Sequence, residues 1–298
     1  MKNNENKEML REFENCQALI EGRLGGFFTI GNENYAKLLE SMRYSLLAGG
    51  KRIRPVMCLK FCEAVGGKPE AALDAACAIE MLHTYSLIHD DLPCMDNSDM
   101  RRGKPSSHKK YGEFTALLAG DALLTAAFET LLGSRLPSDA VVEMARILAD
   151  AAGPHGICGG QYLDLFGVWK PLTEDELVEI DILKTAVLIS AAARIGVVAA
   201  GGTPEQVNAA EEYALAVGLA FQVRDDVLDI TAMDSEIGKP IGEDFENNKT
   251  TFAMILGVDV CEDIIRRETE RGIAALGGKF KDAEFLIWLA RALSERKK

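Results

Sequence analysis

The chain has 298 residues, of which 48% are hydrophobic and 7% aromatic. We expect one domain spanning residues 1–298, because no stretch rich in Pro, Ser or charge separates two halves. The net charge of −13 argues against a nucleic-acid partner, since a polyanion would be repelled by a chain without a strong basic stripe.

Seven cysteines, with no Cys-x-x-Cys pair, are typical of buried free thiols in a reducing compartment. The N-terminal residues are charged and lack the apolar core of a signal peptide. No run of about 18 apolar residues is present, so we expect no integral membrane segment and a cytoplasmic location.

Apolar residues recur at the helical i, i+3, i+4 spacing through most of the chain, which predicts an all-α fold. Thr173 and Glu176 have the spacing of a capping box and predict a helix start. The pattern indicates about ten to thirteen helices in one compact unit. Predicted helices cover residues 7–20, 34–47, the segment from Pro55 to 66, 71–91, 113–132, 138–152, 158–167, the segment from Thr173 to 200, the segment opened by Pro204, 248–257, 260–276 and 282–295.

A cluster of three aspartates, Asp225, Asp226 and Asp229, lies in the helix that follows Pro204. At about 100° per residue, Asp225 and Asp229 share one face a single turn apart, where like charges repel. Their neighbours are apolar, so the cluster predicts a bound cation. A solvated acidic patch is the alternative.

An earlier cluster contains Asp90, Asp91 and Asp96. On an ideal helix Asp96 would lie about 240° away from Asp90, but Pro93 between them bends the chain and can turn Asp96 back. Two such carboxylate sets suit Mg²⁺, which combines few protein carboxylates with water and phosphate oxygens. Zn²⁺ fits less well, because no His or Cys stands at ligand spacing beside them.

Basic residues occur in short blocks that are weak evidence singly. Together with the acidic clusters they predict two polyanion sites, one holding a diphosphate through metal and one holding a diphosphate without metal. The blocks are Lys51-Arg52-x-Arg54, Arg101-Arg102, Lys184, Lys239 and Lys249.

Over nearly its whole length the sequence resembles the trans-isoprenyl diphosphate synthases, and most nearly their bacterial-type farnesyl diphosphate synthases. The resemblance implies a helical bundle around a central cavity, a homodimer, isoprenoid diphosphate substrates and about three Mg²⁺ ions per active site. It rests on Gly49-Gly50-Lys51-Arg52-x-Arg54-Pro55, His83 to Asp91, Arg101-Arg102-Gly103, Ala119 to Leu123, Gly159-Gly160-Gln161-x-x-Asp164, Lys184-Thr185, Phe221-Gln222-x-x-Asp225-Asp226 and Gly238-Lys239-Pro240.

The resemblance also implies roles for single residues. Asp90, Asp96 and Asp225 would coordinate Mg²⁺, with support from Asp91, Asp226 and Asp229. The allylic diphosphate would contact Arg101, Lys184 and Lys239, and isopentenyl diphosphate would be held by Lys51, Arg54, His83 and Arg102. Thr185 and Gln222 would lie beside the reacting carbons, and Lys249 would close the site.

Two positions bear on how closely the chain follows this pattern. Ser98 stands where many relatives have a further Asp, which we expect to alter loop electrostatics and not the chemistry. Arg224 is within the range that the family shows, and its position next to Asp225 suggests a weak influence on that carboxylate.

The resemblance implies that the residues preceding Asp90 control the length of the product. In the family an aromatic residue at the position of Tyr85, combined with two extra residues between Asp91 and Asp96, goes with a C15 product. Ser86 lies one turn before Asp90 on the same face, whereas Tyr85 lies further round the helix, so helix geometry alone does not place its ring in the cavity. We therefore expect a farnesyl diphosphate synthase, and Tyr85 and Ser86 are the candidate chain-length residues.

Three alternatives remain at this point. A geranylgeranyl diphosphate synthase is the nearest one. A terpene cyclase shares the fold but normally replaces the second Asp motif and lacks the Lys51 and Arg54 block. A non-catalytic partner subunit could lose the Asp motifs, whereas this chain retains both.

Overall fold

The computed structural model describes residues 2–31, 34–167, 172–235 and 251–296. Within those ranges the regular elements are helices apart from one pair of two-residue strands, and loops connect them. The elements are α1 (Lys2–Leu24), α2 (Ala36–Leu46), α3 (Ile53–Val65), α4 (Pro69–Asp90), β1 (Met100–Arg101), β2 (Lys104–Pro105), α5 (Ser107–Tyr111), α6 (Glu113–Leu132), α7 (Ser138–Ala152), α8 (Ile157–Gly167), α9 (Glu174–Asp181), a π-helix (Ile182–Ala186), α10 (Val187–Ala199), α11 (Pro204–Ser235), α12 (Phe252–Leu256), α13 (Val258–Ala275) and α14 (Glu284–Ser294).

The all-α prediction is confirmed, and twelve of the described α-helices have eight residues or more. The capping box is also confirmed: Thr173 Oγ1 accepts from the Glu176 amide at 3.3 Å, and Glu176 Oε2 accepts from the Thr173 amide at 3.0 Å. The helix that follows is not continuous to residue 200 as predicted, because a π-helix separates α9 from α10.

The chain divides into two compact units. The first contains residues 1–146 and 195–201, and the second contains residues 147–194 and 202–298. The single domain expected from the sequence stays a prediction.

In the first unit α4 packs against both α3 and α6. Both α3 and α4 are buried over much of their length, with small side chains such as Ala75, Ala76 and Ala78 allowing close approach. Gly196 lies against the backbone of α3, where a Cβ would stand 2.1 Å from the Cys58 carbonyl oxygen. The core of this unit is therefore built on close helix contacts.

In the second unit α11 packs against α13. Tyr213 on α11 is fully buried, and its hydroxyl donates to the Leu286 carbonyl oxygen of α14 at 2.7 Å. Gly218 brings α11 close to the π-helix, since a Cβ there would lie 2.7 Å from the Ala186 Cβ. These contacts fix the part of α11 that leads into the second Asp motif.

Two stretches, Glu113–Leu132 and Glu174–Ala199, are long and apolar enough to cross a membrane by length and composition alone. The buried share of the most apolar window is 61% in the second, as in a core helix of a water-soluble protein, and 44% in the first. Such helices are weak evidence for a membrane span. The expected absence of an integral membrane segment stays a prediction.

The contact between Gly196 and α3 predicts a strong stability effect. Gly196→Ala should lower the free energy of unfolding by about 1–3 kcal/mol, because the methyl group cannot fit beside a backbone carbonyl. Thermal unfolding followed by circular dichroism measures this as a lower Tm. Gly22→Ala in α1 is the control: nothing lies within 4 Å of its Cβ position, so Tm should stay level or rise. An unchanged Tm for Gly196→Ala would contradict the contact.

Candidate active site

The first Asp motif lies where α4 ends. Asp90 is the last residue of α4, and Asp91 caps it. The chain then turns back, so that the Asp96 amide donates to the Asp90 carbonyl oxygen at 2.9 Å. The helix ends before Pro93 instead of bending through it, and the resulting turn brings the backbone of Asp96 beside Asp90.

Asp91 is engaged by an arginine from the adjacent hairpin. The guanidinium of Arg101 donates from Nε to Asp91 Oδ1 at 3.0 Å, and its Nη2 pairs with the same carboxylate. Asp90 Oδ2 lies 3.9 Å from Arg101 Nη2. Burial raises the pKa of the Asp91 carboxyl, although Arg101 acts in the opposite direction. Asp91 thus positions Arg101, and the metal role of Asp91 stays a prediction.

The loop before α3 is tied to the same hairpin. Gly49 and Gly50 have φ values of 85° and 128°, which favour glycine. Arg102 donates to the Gly49 carbonyl oxygen, and a Cβ on Gly50 would stand 2.8 Å from the Arg102 guanidinium carbon. Arg102 is thereby held beside the loop that carries Lys51.

Arg52 fixes this loop through buried contacts, a role that was not predicted from the sequence. It is 3% exposed and donates to Glu21 Oε1 at 2.6 Å, to the Leu46 carbonyl oxygen at 2.7 Å, and to Glu80. Each charge in this group is paired, so Arg52 stabilises the loop while its neighbour Lys51 is exposed.

Three of the residues predicted to hold isopentenyl diphosphate, Arg54, His83 and Arg102, lie near one another. Burial lowers the pKa of Arg54 to about 10, with a further contribution from Arg102. Burial, Arg54 and Arg102 hold the pKa of His83 well below its usual value, so its imidazole is neutral at pH 7. Arg54 Nε is buried and has no hydrogen-bond partner among the described residues. This concentration of positive charge suits an anionic ligand.

Lys184 and Thr185 lie on the π-helix in the second unit. A π-helical turn inside an α-helix is rare and is frequently found at functional sites. Gly160 allows α8 to approach it, because a Cβ there would lie 2.4 Å from the Lys184 amide nitrogen. One turn further along α8, Asp164 Oδ2 accepts from Lys184 Nζ at 2.6 Å.

The second Asp motif reaches the same region through α11. Thr185 Oγ1 donates to Gln222 Oε1 at 3.2 Å, and Asp226 Oδ2 accepts from the Phe252 amide at 2.9 Å. These groups surround a cavity of about 140 Å³, and most of its lining is polar. It is lined by Asp164, Leu177, Ile180, Asp181, Lys184, Thr185, Gln222, Asp226, Thr251 and Phe252.

The aspartates of the second motif differ in environment. Asp226 is buried and Asp229 is exposed. The Asp225 side chain is 38% exposed and pairs with Arg296 near the C-terminal end of the described chain. Arg224 contacts Glu262 and the Ser294 carbonyl oxygen.

Some predicted site residues cannot be placed, and others had not been predicted. Lys239 and Lys249 lie outside the described residues. Asp181 and Arg296 were not among the sequence candidates. Asp181 offered no spacing signal because it stands alone at the end of α9, and Arg296 reaches Asp225 only through the tertiary fold.

The donor set fits Mg²⁺. Among the residues that the structure describes, no three His, Cys, Asp or Glu side chains form a group able to hold a metal ion alone. Mg²⁺ is usually held by one or two carboxylates and completes its octahedron with water and substrate phosphate. Asp90 and Asp96 offer such carboxylates in the first unit, and Asp225 offers one in the second.

Asp181 predicts an unusual dependence of stability on pH. Burial, Asp226 and Asp164 raise its pKa well above the usual 3.8. A raised carboxyl pKa means that stability falls as pH rises from about 4 through the pKa of the folded state. Without divalent cations, Asp181→Asn should therefore raise Tm at pH 7 by a few degrees, and the gain should vanish below pH 4.

Thermal melts across this pH range test the expectation. Glu270→Gln, which removes an exposed carboxylate in α13, is the matched control and should show no such pH-dependent gain. A lower Tm for Asp181→Asn at pH 7 would contradict the assigned cause.

Comparisons with known proteins agree on the family of this chain. The polyprenyl synthetase family model matches residues 35–281. The chain is 48% identical over 272 residues to geranylgeranyl pyrophosphate synthase 3 of Arabidopsis thaliana, covering 86% of this chain and 73% of that protein. It is 43% identical over 267 residues to farnesyl diphosphate synthase of Geobacillus stearothermophilus, covering 89% and 90%. A geranyltransferase from Helicobacter pylori, solved with magnesium and isoprenyl diphosphate, is similar with a TM-score of 0.82 and 34% identity, covering 96% of each chain.

Proposed function

Because the chain belongs to the polyprenyl synthetase family, we propose that it condenses isopentenyl diphosphate with dimethylallyl and geranyl diphosphates to make farnesyl diphosphate. Its broader activity follows from the family and from relatives at 43% and 48% identity: the chain is a trans-prenyl diphosphate synthase. The family uses Mg²⁺, and a similar solved structure contains magnesium. The farnesyl product and the residue roles below belong to the proposal.

Isopentenyl diphosphate is assigned to the cationic group of the first unit. Lys51, Arg54, His83 and Arg102 would hold its diphosphate. Neutral His83 can donate a hydrogen bond without adding charge, while the unpaired Nε of Arg54 offers a buried donor. The hairpin and the glycine loop keep this group in place before substrate arrives, which reduces the ordering required on binding.

The allylic diphosphate is assigned to the aspartate motifs. Asp90, Asp96 and Asp225 would hold Mg²⁺, with Asp91, Asp226 and Asp229 in support. When bound, Mg²⁺ would supply positive charge that stabilises the departing pyrophosphate. Further contacts would come from Arg101, Lys184 and Lys239.

Thr185 and Gln222 would flank the reacting carbons. Their hydrogen bond leaves oxygen lone pairs that can face a developing allylic cation. In the proposed sequence the allylic C–O bond breaks, the double bond of isopentenyl diphosphate forms the new C–C bond, and a proton leaves to the departed pyrophosphate. No protein nucleophile is required.

Loss of either metal-binding motif tests the assignment. Asp90→Ala and Asp225→Ala should each lower kcat by at least about 100-fold, because the charge that stabilises the leaving group is lost. Product formation from dimethylallyl and isopentenyl diphosphates in Mg²⁺ is the measurement. Asp263→Ala, at a carboxylate that is 71% exposed in α13, should retain activity. Turnover near wild type in either motif variant would remove the metal role.

The farnesyl product is supported chiefly by Tyr85. This residue lies five positions before Asp90 and is 5% exposed. Its ring packs edge-on against His89 with centroids 5.5 Å apart, so it is not free to swing away. Ser86 is smaller and donates to the His83 carbonyl oxygen at 2.8 Å, which leaves Tyr85 as the bulky candidate for stopping elongation.

A change of product length tests this assignment. With Mg²⁺ and both substrates the wild-type protein should yield C15, and Tyr85→Ala should shift the distribution toward C20 and longer. Chromatography of the dephosphorylated alcohols measures the lengths. Tyr35→Ala, at a tyrosine that is 59% exposed, should leave the products unchanged. An unchanged distribution for Tyr85→Ala would place the chain-length determinant elsewhere.

A geranylgeranyl product is the second candidate, favoured by the 48% identity to a plant enzyme of that name. The alternatives of a terpene cyclase and a non-catalytic partner are not supported by the family match or by the two intact Asp motifs. The product analysis of wild-type protein decides directly between C15 and C20.

Homodimer formation and a cytoplasmic location stay predictions. The dimer has one supporting observation: α6 exposes Phe114, Leu117 and Leu118 at 74%, 45% and 49%. Adjacent exposed apolar side chains of this size are typical of surfaces that associate.

A further inference from the structure

The carboxylate of Asp225 is occupied by a cation from the protein itself. Arg296, two residues past the end of α14, pairs through Nη2 with Asp225 Oδ1. The same nitrogen donates to the Phe221 carbonyl oxygen at 3.0 Å, and the guanidinium carbon lies 3.8 Å from the centre of the Phe221 ring. Arg296 is therefore seated on one turn of α11 by three separate contacts.

A second arginine fixes the backbone that delivers Arg296. Arg224 Nε donates to the Ser294 carbonyl oxygen at 2.6 Å, while its two Nη atoms bind the Glu262 carboxylate at 2.6 and 2.7 Å. Arg224 is thus clamped between α13 and the end of α14. Arg224 and Asp225 are consecutive residues of α11. Arg224 binds the Ser294 carbonyl oxygen and Asp225 pairs with Arg296, so residues 294–296 contact α11 at two adjacent positions.

The hydrogen bonding of the Arg296 guanidinium is nevertheless incomplete. Its side chain is only 12% exposed, yet its Nε is buried without a hydrogen-bond partner among the described residues. A buried donor left unpaired costs free energy, which weakens the binding of Arg296 at this position. Asp225 keeps a more open side chain, so solvent and ions can reach it while Arg296 is bound. These features describe an ion pair that a stronger cation can replace.

We infer that Arg296 is a positioning residue that occupies the Asp225 carboxylate until a divalent cation displaces it. The inference rests on the proposed role of Asp225 as a metal ligand. Arg296 Nη2 holds Asp225 Oδ1, so a divalent cation that coordinates Asp225 through that oxygen has to displace the guanidinium. Arg296 consequently lowers the affinity of the free enzyme for metal and releases a mobile cation when metal binds.

Mn²⁺ binding in the absence of any substrate tests the inference directly. The free-ion signal in electron paramagnetic resonance gives Kd for full-length protein titrated with Mn²⁺ alone. Arg296→Gln should bind Mn²⁺ about three- to tenfold more tightly than wild type, since the competing charge is gone. Arg296→Lys, which retains the charge, should stay within about twofold of wild type.

Two further variants separate the competing explanations. Arg266→Gln, at an arginine that is 77% exposed in α13, removes the same unit of charge without contacting Asp225 and should leave Kd unchanged. Asp225→Asn should weaken Mn²⁺ binding, and adding Arg296→Gln to it should give no gain. Circular dichroism and Tm for each variant establish that the fold is retained.

The outcomes distinguish failure of this inference from failure of the proposed function. If Asp225→Asn weakens Mn²⁺ binding while Arg296→Gln leaves it unchanged or weaker, the metal role of Asp225 stands and the role of Arg296 is wrong. If Asp225→Asn binds Mn²⁺ like wild type, the metal role of Asp225 fails and the inference falls with it. A gain of equal size in Arg266→Gln would also overturn the inference, because it would reflect net charge alone.

Discussion

Carboxylates held at the edge of an apolar helical core need a cation nearby, and the site depends on how the protein supplies one. In the first unit Arg101 pairs with buried Asp91 at the end of α4. In the second unit Arg296 pairs with Asp225, and Lys184 pairs with Asp164. In each case the cation comes from a different element, so the electrostatic need of the motif also ties separate parts of the fold together. Where such a pair breaks, another cation has to neutralise the carboxylate, and an anion such as a substrate phosphate can pair with the released arginine or lysine.

The group around Arg54 presents the opposite situation. Arg54 and Arg102 bring two positive charges to a place where burial disfavours charge, and burial lowers the pKa of both guanidinium groups. The same surroundings lower the pKa of His83 and keep it neutral. Burying unpaired positive charge costs free energy, and a bound anion offsets that cost. Such a group is therefore typical of a binding site for an anion. Arg52 beside them is fully paired, which shows that the chain neutralises an arginine when the arginine is structural.

Much of the fold could be predicted from the sequence because helix periodicity and capping are local. The bounds of α6 and α7 agree with the prediction, and the Thr173 capping box forms as its spacing indicated. The turn that brings Asp96 back beside Asp90 also followed from a local cause, Pro93. The helix ends within one residue of the expected position.

Other features depended on contacts between residues distant in sequence. The weak influence of Arg224 on Asp225 stays a prediction, whereas the partners of its guanidinium, Glu262 and the Ser294 carbonyl oxygen, were not predicted. Asp91 pairs with Arg101 of the hairpin, and Asp225 pairs with Arg296 of the C-terminal segment. No pattern within either Asp motif predicts these partners. Periodicity also missed the π-helix, because one additional residue in a nearly apolar run leaves the apolar pattern almost intact.

That additional residue has a geometric consequence for the two helices it joins. A π turn contains one residue more than an α turn, so it offsets the helix after it by about 100° relative to the helix before it. The Thr173-capped helix α9 and the apolar helix α10 can therefore each present a different side to their surroundings. Deleting a single residue between 182 and 186 would restore an uninterrupted α-helix and rotate every later side chain of α10 by that angle. Lys184 and Thr185 lie in the π-helical turn where this rotation of about 100° between the two helices takes place.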